Sequence, residues 1–215
     1  MTLSADVKKR VLEAARLEPS PPRKVIQKNT ALLLATAAIT LVSVFFAFGG
    51  IHPGERPEAL LLGTAVGWAA IAVAATSLAL WRGRSMLGRP GRMLYLVALA
   101  TPFALLAWAV IMDVANKDSL KPCPPVLAMG CFAITLLMAA WPLVALSFAR
   151  RGTDPVHPRA TGASLGAAAG AWASVAIHLH CPLSSPLHML LGHVLPAAAL
   201  VAIGAWLGKR VIALG

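Results

Sequence analysis

The chain is predicted to be an all-α polytopic membrane protein, a bundle of six transmembrane helices with both termini in the cytoplasm. Three observations carry that expectation. Hydrophobic residues fill 58% of the 215 positions and charged residues only 13%, and the mean hydropathy is +0.75, well outside the range of soluble globular domains. The apolar residues come in six unbroken runs, and a run of about 20 suffices for a helix to span the hydrocarbon layer. The segments between the runs are short and rich in Gly, Pro and charge.

The chain divides into a polar leader, residues 1–29, and a transmembrane domain, residues 30–215. In the leader, Ser4 can cap a helix, and Asp6 sits in the first turn, where the helix dipole favours negative charge. Leu3, Val7, Val11, Ala14 and Ala15 then recur at helical spacing. The pattern stops at Pro19, and PSPPR at 19–23 reads as a stiff linker. A helix of about 15 residues is marginal alone. It is expected to fold on something, either the inner leaflet or a groove in a partner protein.

The spans are placed at 30–48, 59–81, 93–114, 126–148, 161–179 and 188–207. The first does not read as a cleavable signal peptide, because its polar lead is long and no small-x-small site follows it. Loops this short predict that consecutive helices run antiparallel, side by side. Pro102, Pro142 and Pro196 interrupt helical runs and are expected to kink them. Gly162, Gly166 and Gly170, and separately Gly63 and Gly67, recur at four-residue spacing; both stripes read as close helix packing within the bundle.

Lysine and arginine set the orientation. Seven lie in the leader, four at 82–92, three at 150–159 and two at 209–210, all on one side; Arg56, Lys117 and Lys121 lie on the other. The positive-inside rule puts the richer side in the cytoplasm. The net charge of +11 is therefore read as topogenic, with lipid rather than nucleic acid as its partner, since no aromatic residues interleave the basic loops.

No Asp, Glu, Lys or Arg falls near the centre of a span, and Asp113 sits at a span end. Ion-coupled carriers need such charges as relays, so transport of that kind is disfavoured. Chemistry concentrates instead at 177–193, IHLHCPLSSPLHMLLGH, which holds His178, His180, Cys181, His188 and His193. The topology puts this stretch on the extracytoplasmic side, with Cys131 near the outer end of the fourth span and Cys123 in the loop before it. Thiolate with imidazole suits zinc and other thiophilic metals; two thiols facing an oxidising compartment could form a reversible disulfide; and packed, ligand-free side chains are the third reading. None of the spacings is a metal signature, and a separation of five residues puts His188 and His193 poorly on one α-helical face. His52 and His157 read as isolated loop residues. No acidic residue accompanies the cluster, and no nucleophile elbow or phosphate loop occurs, so an enzyme is not expected.

The leader LSADVKKRVLEAARLEPSP, the six spans with small loops, the cysteine near the outer end of the fourth span and the HCP…SP…H segment opening the sixth resemble the NrsF-type negative regulators. These are integral anti-sigma factors of the bacterial inner membrane that act on extracytoplasmic-function sigma factors. The resemblance spans essentially the whole chain. It implies that the leader, through Leu3, Val7, Val11, Ala14 and Ala15, helps hold a sigma factor inactive. It also implies that Cys131 and Cys181, matching the family's two cysteines, receive oxidation or a thiophilic metal such as zinc or a heavy metal. His178, His180, His188, His193 and Cys123 are further candidate ligands. The HxxxCxxC pattern of soluble zinc-containing anti-sigma domains is missing, which leaves open whether the basic inner loops share in sigma binding. The rival expectation is a small membrane carrier or metal-binding protein that uses the Cys/His cluster to bind and pass on a cation.

Overall fold

In a computed structural model the apolar runs form six helices. The structure describes residues 6, 9, 12–13, 22–52, 58–81, 90–115, 124–151, 156–183 and 185–213. In chain order α1 is Arg23–Ala47, α2 Glu58–Leu80, α3 Gly91–Ala115, α4 Pro125–Ala149, α5 Pro158–His180 and α6 Pro186–Ile212. Each is long and apolar enough to cross a bilayer, and no strand occurs among the described residues. The leader residues Leu3, Val7, Val11, Ala14 and Ala15 lie outside the described residues, as does Cys123; Asp6, Lys9, Leu12 and Glu13 are helical and exposed.

Helix ends follow local chemistry. Pro125, Pro158 and Pro186 open α4, α5 and α6, at the position where a missing N–H leaves nothing unsatisfied. The first helix begins at Arg23, several residues before the apolar run at 30. Hydropathy marks the lipid layer rather than the helix. Lys24, Gln27 and Lys28 are good helix formers and carry α1 beyond it.

The bundle is built around α5. Of its span, 89% is buried, against 11% for α1, which places α5 at the centre and α1 at the rim. Composition explains this: α5 is mostly Ala, Gly and Ser, so neighbouring backbones approach it closely on all sides. On the α6 side, a methyl group on Gly162 would strike the Gly204 carbonyl, and one on Gly166 would strike the Leu200 carbonyl. Gly204 and Gly208 are equally constrained against α5 from the other side. This stripe therefore packs within the bundle, as its spacing predicts.

Hydrogen bonds tie the helices to α5 and to one another. Thr101 of α3 donates to the Ala167 carbonyl of α5 at 3.1 Å. Trp172 of α5 donates through Nε1 to Thr76 Oγ1 of α2 at 2.9 Å, and Trp141 of α4 to Thr36 Oγ1 of α1 at 3.2 Å. At the end of α4, the buried Arg150 guanidinium donates to the last carbonyl of α2, on Leu80, at 3.4 Å.

Two expectations are corrected here. Consecutive helices are not always neighbours: α1 lies against α4 rather than α2, and α2 and α3 both lie chiefly on α5. The small-residue surface of α5 offers closer packing than the bulky faces of α2 and α3 offer one another. Where those two diverge they leave an open groove of about 530 Å³. Gly63 and Gly67 face this groove with nothing within 4 Å, so the second glycine stripe makes no close helix contact.

Candidate functional site

At one end of the bundle the C-terminus of α5, the N-termini of α4 and α6 and the end of α1 converge. The His52 N–H donates to the Leu179 carbonyl at 3.0 Å, which ties α1 to α5 here. Inside this end, Cys131 of α4, Cys181 of the α5–α6 turn, and His188 and His193 of α6 come together. Each offers one ligand atom, and all four atoms lie within 4.8 Å of one another. Three of the four residues are buried, and Cys131 is half-buried.

The two sulfurs are 3.5 Å apart, with the Cys131 thiol donating to Cys181. That separation is not a disulfide, which needs about 2.05 Å. Cys181 Sγ lies 3.0 Å from His188 Nε2. The Cys131 thiol holds the Cys181 sulfur well below the ordinary thiol range, with His188 and His193 acting in the same direction and burial opposing them. His193 is only 2% exposed, and neither of its ring nitrogens has a hydrogen-bond partner among the described residues. A buried polar atom left in that state costs roughly 1–3 kcal/mol.

The backbone of α6 explains why two histidines five residues apart share a face. Leu190–Val194 is a π-helical segment, in which bonds close over five residues rather than four. It brings the His188 and His193 rings to 5.3 Å between centroids. Pro196 supplies the cause: it has no N–H for the carbonyl four residues back, on Gly192, and its ring crowds that carbonyl. Thr135 Oγ1 approaches the Gly192 carbonyl at 3.5 Å while bonding the Cys131 carbonyl at 2.7 Å. Pro196 thus reshapes the helix into a wider turn instead of merely kinking it, and the spacing that looks unfavourable on an α-helix becomes favourable.

The remaining candidates stand apart from the four. The His178 ring lies tilted between those of Trp68 and His193, with centroids at 5.0 and 5.1 Å, and its Nδ1 meets the Ser174 carbonyl at 2.8 Å. It braces the His193 ring and does not join the cluster of ligand atoms. His180 turns toward α1, with Nδ1 3.1 Å from the Gly50 carbonyl and its ring 4.8 Å from that of His52. His52 is therefore not isolated; it is half of a histidine pair. His157 lies against Gly91 at the start of α3.

Sequence reading missed Gly192. A Cβ there would lie 3.1 Å from Cys131 Cβ, 3.2 Å from the Ala128 carbonyl and 3.5 Å from His188 Nε2, so glycine lets α6 approach α4 at the cluster more closely than a larger residue would. The Gly192–Pro196 spacing of four is a signal that could have pointed to it. Two spaces adjoin the site. A cleft of about 230 Å³, lined by Val126, Leu127, Gly130, His180 and both cysteines, opens to the surface. A void of about 10 Å³ beside His178, Cys181 and His193 is close to the smallest that holds one water. Chemically, the arrangement can bind a soft cation or close a disulfide by a small inward movement of one cysteine.

Comparison with protein-family models gives a match over residues 14–213, nearly the whole chain, to the model described as NrsF, negative regulator of sigma F. No curated protein and no solved structure matches the chain.

Proposed function

From the premise that this chain belongs to the NrsF family, the negative regulators of sigma F, we propose that it is a membrane-bound anti-sigma factor for an extracytoplasmic-function sigma factor. It holds that sigma factor inactive at the inner membrane and releases it when the Cys131–Cys181 pair receives a thiophilic metal or an oxidant from the extracytoplasmic side. Both termini face the cytoplasm in this reading, as the distribution of lysine and arginine favours. The leader docks on the sigma factor through Leu3, Val7, Val11, Ala14 and Ala15, and regulation by sequestration involves no catalysis.

The observation that carries the sensing half is the 3.5 Å approach of the two sulfurs from separate parts of the bundle. Whatever joins or separates those sulfurs acts directly on how α4 packs against α5 and α6. A signal shifts this equilibrium only if it binds the two packings with different affinity, and a ligand held between α4 and the α5–α6 turn meets that condition.

Two variants test the reading, with a sigma-dependent reporter as the measurement. The double variant Cys131→Ser, Cys181→Ser is expected to repress normally and to lose induction by cadmium or a thiol oxidant; normal induction overturns the sensor role. Deleting residues 1–25 is expected to release sigma constitutively, and persistent repression overturns the docking role.

A further inference from the structure

We propose that Cys131, Cys181, His188 and His193 form a single four-coordinate site for a thiophilic divalent cation of the zinc and cadmium type, with both histidines as ligands. This rests on the sensor reading of the two cysteines and deepens it by naming the ligand class and completing the donor set.

Distance favours a metal. Tetrahedral coordination, with metal–sulfur bonds of about 2.3 Å and metal–nitrogen bonds of about 2.0 Å, spaces its ligand atoms roughly 3.3–3.8 Å apart. The S···S distance of 3.5 Å already falls in that range, and Cys181 Sγ to His188 Nε2 at 3.0 Å is close to it. The widest separation, 4.8 Å, closes with a movement of about 1 Å.

His193 favours a metal over a disulfide. Its nitrogens are buried without a hydrogen-bond partner, and a disulfide between Cys131 and Cys181 would leave them so. A cation bound by both sulfurs gives one of the two nitrogens a partner. The lack of an acidic residue in the four-residue group also fits, because two thiolates cancel the charge of a divalent cation, and a buried site is then neutral as a whole. In the binding step the cation displaces whatever protons its donor atoms still hold, that of the Cys131 thiol first, which pass to solvent, and no oxidant is consumed. The open cleft beside Cys131 and Cys181 gives the cation its route from the surface.

The π-helical segment makes the site specific to this fold. Only with the five-residue closure at Leu190–Val194 do His188 and His193 face α4 together, so bound metal and the π geometry stabilise each other.

The test is cobalt and cadmium binding to the full-length, reduced protein in detergent. One equivalent of Co²⁺ is expected to give sulfur-to-cobalt charge transfer and the intense visible bands of four-coordination, both abolished by competing Cd²⁺. His188→Gln and His193→Gln are each expected to weaken binding by at least the roughly 10-fold that even an outer-shell partner is worth, with charge transfer retained. His180→Gln, which alters a ring turned toward α1, is expected to bind like wild type. X-ray absorption on the wild-type cadmium complex, expected to show two sulfur and two nitrogen neighbours, needs no variant to fold. Absence of binding, a pale six-coordinate spectrum, sulfur-only coordination, or undiminished affinity in the histidine variants overturns the proposal. If no cation binds while the double cysteine variant still loses induction, this inference fails and the sensor reading survives through oxidation. If the cation binds as expected while that variant induces normally, the site stands and the sensor reading fails.

Discussion

Cys131 and Cys181, fifty residues apart in the chain, hold their sulfurs 3.5 Å apart where α4 meets the α5–α6 turn. Beside it Gly192 of α6 lies against α4, where a Cβ would meet Cys131 Cβ at 3.1 Å. A contact of this kind reports on helix packing, since one sulfur is carried by α4 and the other by the turn between α5 and α6.

Gly192→Ala tests that packing. The added methyl meets Cys131 Cβ at 3.1 Å and the Ala128 carbonyl at 3.2 Å, so α4 and α6 must separate by a few tenths of an ångström. The variant is expected to fold and repress sigma while its response to cadmium falls by roughly 10-fold, the scale on which disturbed metal surroundings act. A reporter dose–response measures it, and an unchanged midpoint would count against the coupling.

The two glycine stripes are expected to respond oppositely. Gly166→Ala forces a methyl into the Leu200 carbonyl and should destabilise the bundle by about 1–3 kcal/mol. Gly63→Ala meets nothing within 4 Å and should change stability by less than about 0.5 kcal/mol. Denaturant unfolding in micelles reads both; equal effects would contradict the packing described.

Arg150 joins the ends of α4 and α2. Arg150→Gln should destabilise the fold by about 1.5–3 kcal/mol, the value of a hydrogen bond to a charged group, because it removes the cation that caps the last carbonyl of α2. Thermal unfolding measures it. Arg150→Lys, lacking the planar fork, is expected to recover only part of the loss.

Trp172 and Thr76 offer a double-mutant cycle between α5 and α2. With their 2.9 Å bond in a membrane setting, Trp172→Phe and Thr76→Val should show a coupling of about 0.6 kcal/mol. Additive losses would mean that the bond contributes nothing to holding α2 on the central helix.

Hydropathy and charge were enough to count the spans, bound them to within a few residues except at the start of α1 and the end of α6, and mark 177–193 as chemically dense, because lipid imposes its length and polarity on each helix separately. The leader motifs, the fourth-span cysteine and the HCP…SP…H segment were also enough to point to the family that the match over residues 14–213 shows. Which helices touch was decided only by the tertiary structure. Side-by-side packing of consecutive helices failed for α1 with α2, because the deepest packing surface in the bundle is the Gly/Ala face of α5, and contact follows the surface that allows closest approach rather than the shortest loop. Membership of the cluster was hidden for a related reason. Of the seven candidate ligands, the fold gathers Cys131, Cys181, His188 and His193 and turns His178 and His180 to other partners, while Cys123 lies outside the described residues. Spacing alone argued against pairing His188 with His193, since it assumed an unbroken α-helix. Pro196 and Gly192 change the local period, and a changed period moves a side chain to a different face.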